Sequence, residues 1–397
     1  MDEMKHVLVI PSWYPPYDGG CFFQKRWEIM TSRGWQVGLV YVEQRSIRSF
    51  NLKTIGDSLL QVTKATENGI TVLRRHGWSF PKLSILNQKL WVFLMMNLVD
   101  RYIKEQGMPD FIHVHSAVWG SVVGRKIKDK YNIPYILSEH RGRFTYQTKF
   151  AKSLFKRWFD PLLKYGLETV DYVLPLSKVM WPKLNSYVAN PDCKHRVVPN
   201  SVDLDFFAPS LEENPINPPT FLTVGGLTEV KGVHLLISAL STVIKKYPDI
   251  SLRVIGDGLQ KRYLEALVRK NHLEKTVSFL GKRSHKEIKK EFDSTSFFVL
   301  ASLAEGHPNV TCEAMAMGVP VLATSVVSDD VVTPETGILV EPDSVEALEK
   351  GLIQAIETRD QYDSKKIRRF AEENFSYDVV FKQIEAVYKE VLSSNED

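Results

Sequence analysis

Cysteine is scarce in this chain of 397 residues: Cys21, Cys193 and Cys312 are odd in number and far apart. That excludes a disulfide framework or a cysteine-built zinc site, and a reducing cytoplasm is the simplest compartment. Long apolar runs are missing too. The longest, Leu90 to Val99, is about half of the ~20 residues a membrane span needs. The chain opens on acidic Met1-Asp2-Glu3, and His6 to Ile10 is too short for the apolar core of a secretory signal. A Gly-x-Gly-x-x-Gly after the first strand is absent, which argues against a nicotinamide dehydrogenase.

What remains is an ordinary soluble composition, 44% hydrophobic and 25% charged, long enough for two domains. The net charge of +4 hides an asymmetry. Residues 1–205 carry 29 Lys and Arg against 18 Asp and Glu, while residues 206–397 carry 22 against 29. One half is basic and the other acidic, so the two are expected to meet different partners.

The chain is organised around the stretch from Ala304 to Val321. An apolar run, Phe297 to Ala301, reads as a buried strand; Pro308 and Asn309 suit the first turn of a helix, and Gly318 suits its end. A strand, loop and helix in that order offer unpaired N–H groups and a positive dipole end to an anion. Glu305 and Glu313 bracket the site, leaving two acids for hydroxyls once a diphosphate lies on the amides. The block Glu305-Gly306-His307-Pro308-Asn309, with Glu313-Ala314-Met315-Ala316 and Gly318-Val319-Pro320-Val321, resembles the retaining GT-B glycosyltransferases of family GT4. Their signature is two glutamates with seven residues between them.

Other motifs follow in order. His6 to Ile10 reads as a strand running into a loop that holds Gly19 and Gly20, then a helix with Trp27 and Met30 on one face. Asp-Gly-Gly makes a tight turn by default; the resemblance places the glycine pair beside the donor phosphates. Strands ending at His113-Val114-His115 and Ser138-Glu139-His140-Arg141 direct polar tips to the ligand side of a parallel sheet. A histidine at a strand end is usually structural, but the family has a functional histidine matching His140, with His115 the less certain candidate. Pro199-Asn200-Ser201-Val202-Asp203 resembles the family's Asn-Gly-Val-Asp block, with serine for glycine. Val224-Gly225-Gly226 and Lys231-Gly232 resemble a block that usually reads Gly-Arg and then Lys-Gly, so Gly226 stands where an arginine is usual. Ile255-Gly256-Asp257-Gly258 resembles a turn beside the donor.

Residues 144–165 place Phe150, Leu154, Phe155, Trp158, Phe159, Leu162 and Leu163 at helical spacing. Lys149, Lys152, Lys156, Arg157 and Lys164 fill much of the remainder, with Asp160 the only acid. The pattern fits an interfacial helix on an anionic membrane, or an ordinary surface helix with its aromatic face in the core.

Fold class is therefore α/β, with two Rossmann-like parallel-sheet domains facing across a cleft: 1–208, a linker at 209–219 rich in proline, 220–375, and a last helix at 376–397. In relatives that helix crosses back to the first domain. The resemblance implies transfer of a sugar from a nucleoside diphosphate sugar to a glycan or lipid-linked acceptor, with retention and without a cofactor or metal; no Asp-x-Asp sits among the site motifs. It gives the donor Gly19, Gly20, Gly225, Lys231, Gly256, Glu305, Gly306, His307, Asn309, Val310 and Glu313. His140, Glu305 and Lys231 would serve catalysis, and His115, Arg141 and Arg143 the acceptor. The expected place is the cytoplasm, with the inner membrane face as a further station. A silent sugar-nucleotide-binding scaffold and a sugar-nucleotide epimerase are the competing readings.

Overall fold

A computed structural model describes residues 5–11, 14, 21–49, 62–145, 148–210 and 218–393, without the side chains of 21–24 and 49. Gly19, Gly20 and most of the proline-rich 209–219 stretch lie outside the described residues.

The strands are β1 (His6–Ile10), β2 (Gln36–Ser46), β3 (Val62–Glu67), β4 (Ile70–Ser79), β5 (Phe111–His115), β6 (Tyr135–Glu139), β7 (Tyr172–Pro175), β8 (Lys194–His195), β9 (Thr220–Val224), β10 (Ser251–Ile255), β11 (Val277–Gly281), β12 (Phe297–Leu300), β13 (Val321–Thr324) and β14 (Gly337–Val340). Two sheets result, ordered β3-β4-β2-β1-β5-β6-β7-β8 and β11-β10-β9-β12-β13-β14. Every pairing is parallel except the β3–β4 hairpin. The central strands are buried throughout because helices cover both faces, which is why β1, β5, β6, β12 and β13 read as unbroken apolar runs. Each domain thus folds as expected, and both sheets bring polar strand tips to the ligand edge.

The helices are α1 (Cys21–Ser32), α2 (Ser84–Gln106), α3 (Gly120–Tyr131), α4 (Lys149–Leu154), α5 (Phe159–Leu167), α6 (Trp181–Asn185), α7 (Val233–Val243), α8 (Lys261–Lys270), α9 (His285–Phe292), α10 (Asn309–Ala316), α11 (Val345–Glu357), α12 (Ser364–Phe375) and α13 (Tyr377–Ser393). Apolar Leu90 to Val99 lies within α2, whose Trp91, Met95, Leu98 and Val99 pack on the first sheet. Among the described residues, no helix is long and apolar enough to cross a membrane.

The chain changes domain before the proline-rich stretch. Val202 and Phe207 already belong to the second domain's core, and Arg368 of α12 donates to the carbonyls of Leu204 (3.2 Å) and Phe207 (2.8 Å). α13 then crosses back. Its Val380, Phe381, Ile384, Val387, Tyr388 and Val391 share one core with β1, β2 and Trp27 of α1.

The 144–165 segment is not one helix. α4 ends at Phe155, whose backbone is extended, and α5 begins at Phe159. Phe155 and Trp158 pack their rings on Phe159, and Phe144, Phe159 and Leu163 are buried in the first domain. The aromatic periodicity is therefore core-forming, while Lys149, Lys152, Lys156 and Arg157 remain at the surface.

Candidate active site

Glu305 and His140 belong to different domains and meet across the cleft. Glu305 follows β12 and His140 follows β6. Contact is so close that glycine is required on both sides: a Cβ on Gly142 would fall 2.8 Å from the Glu305 nitrogen, and one on Gly306 2.4 Å from the His140 carbonyl oxygen. Side chains of the first domain clamp the same loop by its carbonyls. Thr148 donates to Leu303 (2.6 Å), Ser177 to Gly306 (3.0 Å), and Asn200 to His307 (3.1 Å).

On the second domain Lys231 donates to Glu305 Oε1 at 2.6 Å, and Ser302 donates to the same oxygen at 2.6 Å. The Glu305 carboxylate is nearly buried and is aimed by a lysine and a hydroxyl together. Gly225 and Gly256 face each other at the tips of β9 and β10, with 1.8 Å between a Cβ built on Gly256 and the Gly225 oxygen. Gly226 has no atom within 4 Å of its Cβ direction and no positive φ, so a side chain can start there without a clash at Cβ or backbone strain.

α10 begins where the sequence suggests. Pro308 is its cap residue, no side chain caps its first amides, and Gly318 (φ 72°) lies just beyond its end. Its N-terminus opens toward the Glu305 loop, leaving the dipole end for an anion. Glu313 sits one turn in, half-buried, and burial pushes its carboxyl up to about 7. Asn309 is engaged elsewhere: its Oδ1 accepts from Asn200 at 2.8 Å. His307 turns its ring inward, 3.8 Å from Cys312 Sγ and edge-on to Phe375, where burial lowers its pKa to about 3. Only its backbone lies along the loop, where its carbonyl accepts from Asn200. Val310 is half-buried in the first turn.

Opposite these, His113, His115 and His140 stack in file, with ring centroids 4.5 and 5.0 Å apart. His115 Nδ1 and His140 Nε2 are 2.7 Å apart, so one ring carries the shared proton. Burial and the neighbouring charges of the cluster hold both imidazoles well below the usual histidine range, so they are neutral. A neutral His115–His140 pair can pass or accept a hydrogen bond without adding charge.

Two residues of this wall carried no sequence signal of their own. Glu139, fully buried, accepts from the amides of Ala117 (2.5 Å), His140 (2.7 Å) and Arg141 (2.7 Å), and so sets the turn that presents His140. Arg26 of α1 is buried beside the histidines, and its Nε and Nη2 have no hydrogen-bond partner. Burial lowers it to about 10. It reads in the sequence as one more surface cation of an amphipathic helix.

Beside His115 a cavity of about 480 Å³ opens within the first domain. Trp91, Trp119, Trp158 and Phe159 supply its aromatic walls, and Arg141 and Arg143 its charge. Burial lowers both guanidiniums from the ordinary range without discharging them at neutral pH. All three expected acceptor residues, His115, Arg141 and Arg143, line this one space. Among the described residues, no cluster of three or more His, Cys, Asp or Glu could hold a metal ion.

Comparison with known proteins agrees with this architecture. The family model for glycosyl transferases group 1 matches residues 209–374, and that for glycosyltransferase family 4 matches residues 30–206. An uncharacterized glycosyltransferase of Methanocaldococcus jannaschii is 28% identical over 97% of this chain and 98% of its own length. A putative colanic acid biosynthesis glycosyltransferase of Escherichia coli, WcaL, is 28% identical over 54% of this chain and 55% of its own. The structure of Anabaena HepE in complex with UDP superposes with a TM-score of 0.69 at 18% identity, covering 98% of this chain and all of that one. With two parallel-sheet domains closing on a glutamate-bracketed helix, the chain belongs to the GT4-type, group 1 glycosyltransferases of GT-B fold.

Proposed function

We propose that this glycosyltransferase moves a hexose, with retention of anomeric configuration, from a nucleoside diphosphate sugar to an anionic glycan or lipid-linked acceptor. The observation that carries the reading is the pairing of Lys231 and Glu305 on one wall, in contact with the His140 turn on the other. Lys231 and the amides of Gly306, His307, Asn309 and Val310 face the developing charge of the diphosphate. Glu305 accepts from hydroxyls of the transferred sugar, and Glu313 from those of the ribose. The acceptor enters the cavity, its anionic group against Arg141 and Arg143 and its apolar faces against the tryptophans. Its attacking hydroxyl then approaches on the side of the leaving phosphate, whose oxygen takes the proton. His140 neighbours the reacting carbon, where a neutral ring avoids repelling an oxocarbenium-like sugar.

WcaL and the UDP-bound HepE support a nucleotide donor and a role in polysaccharide or glycolipid synthesis. We place the work on the cytoplasmic face of a membrane, without a metal cofactor. Thermal shift with UDP, GDP and ADP, and with their sugars, tests the donor site. One base should raise Tm in wild type and lose that effect in Glu313→Ala; equal shifts in both proteins would contradict the assignment.

A further inference from the structure

The mouth of the acceptor cavity carries large apolar side chains turned to solvent. Leu83 is 50%, Ile85 53% and Leu86 49% exposed, at the start of α2, and Phe93 is 62% exposed two turns on. They flank the cavity directly, since Ser84 and Asn87 of the same turns line it. Ile47 joins them: Ser46 pairs with Ser79 across β2 and β4, so the chain beyond each strand leaves the sheet side by side. Scattered apolar residues on a surface need no explanation. A contiguous set beside a binding cavity does.

Charge identifies the occupant. Among the described residues that line or flank this mouth, 44–48, 79–93, 141–145 and 148–159 together hold ten Lys and Arg and no Asp or Glu; the neighbouring Glu43 is paired to Arg45 and His76. Lys82 just before α2 and Lys89 on it stand exposed among the apolar side chains, while Lys149, Lys156 and Arg157 stand exposed behind the facing wall. Apolar side chains within a field of one sign suit the boundary between headgroups and acyl chains, with lysines reaching back to anionic phosphates. We infer that this rim, and not an amphipathic helix over 144–165, seats the protein on an anionic lipid bilayer, and that the acceptor enters the cavity from the membrane side. The statement about the acceptor rests on the transferase reading above; the docking surface does not.

The test uses the full chain and sedimentation with vesicles of equal parts phosphatidylcholine and phosphatidylglycerol. Wild type should bind these, release with salt, and ignore pure phosphatidylcholine. Leu83→Gln/Ile85→Gln/Leu86→Gln should weaken binding by about tenfold or more, as expected when three apolar anchors are lost. Its Tm and its slow donor hydrolysis should stay as in wild type, since none of the three lines the cavity. Leu259→Gln, at the most exposed leucine of the other domain, should bind as wild type. Undiminished binding by the triple variant, equal binding to neutral vesicles, or a rim that instead joins two copies of the chain in gel filtration would overturn the inference. A chain that binds through this rim but turns over no donor would sink the transferase reading and leave the docking surface standing.

Discussion

At the scale of single residues, the proposed mechanism divides the donor's chemistry between Lys231, which supplies charge, and Glu313, which supplies affinity. Lys231 touches Glu305 and is proposed to face the diphosphate, so Lys231→Ala should lower kcat by roughly 10²–10³-fold, more than it raises KM. The open, negative-φ setting of Gly226 makes the reverse experiment clean. Gly226→Arg should fold normally and restore part of the turnover lost in Lys231→Ala; steady-state kinetics on the double variant decide it. Glu313 adds a pH signature. Its carboxyl titrates near 7 when folded, above the unfolded value of about 4.3, so the folded chain holds that proton more tightly and loses stability as pH rises toward 7. In the proposed donor site ribose hydroxyls would donate to the ionised form, which reverses the sign for ligand. Nucleotide affinity should rise about tenfold from pH 6 to pH 8, the span of a one-proton linkage, and Glu313→Gln should flatten the profile in titration calorimetry.

At the scale of elements, what matters is how loops of two domains touch. Gly142→Ala would drive a Cβ into the Glu305 backbone, and an ångström of displacement there should cost on the order of 10²-fold in kcat. Donor-nucleotide affinity, read by calorimetry, should hardly change, because most of the proposed nucleotide contacts, Glu313 among them, lie within the second domain. These interdomain contacts were the part of the site that the sequence could not reveal. The Glu305–Glu313 spacing and the strand tips at His115 and His140 are local patterns, legible because each follows an apolar strand. The Asn200, Ser177 and Thr148 clamps join residues more than a hundred positions distant; the motif around Asn200 is legible but its partner is not, and nothing nearby marks Ser177 or Thr148. The β3–β4 hairpin escaped for a different reason. Val62 to Glu67 is a mostly exposed edge strand, so it lacks the apolar run that exposed its neighbours. Of the two readings open for the 144–165 segment, the core-facing one holds for its rings, but as two helices, because Phe155 to Trp158 break the helix.

At the scale of the whole molecule, α13 binds the two domains into one unit. It buries six apolar side chains against the first sheet, each contributing ~1.5–3 kcal/mol, a sum comparable to the ~5–15 kcal/mol that holds an entire domain folded. Removing residues 377–397 should therefore leave the first domain unfolded or aggregated, as circular dichroism and solubility would report. The cleft that this helix keeps in register is where the transfer is proposed to happen. Turnover of a panel of nucleoside diphosphate sugars, followed by NMR in the presence of EDTA with water as the default acceptor, tests that claim most directly. Wild type should release nucleoside diphosphate and a sugar first seen in its original anomeric form, and Glu305→Ala should be at least ~10²-fold slower while still binding the nucleotide. Turnover of Glu305→Ala at the wild-type rate, or a wild-type chain that consumes none of the donors, would contradict it.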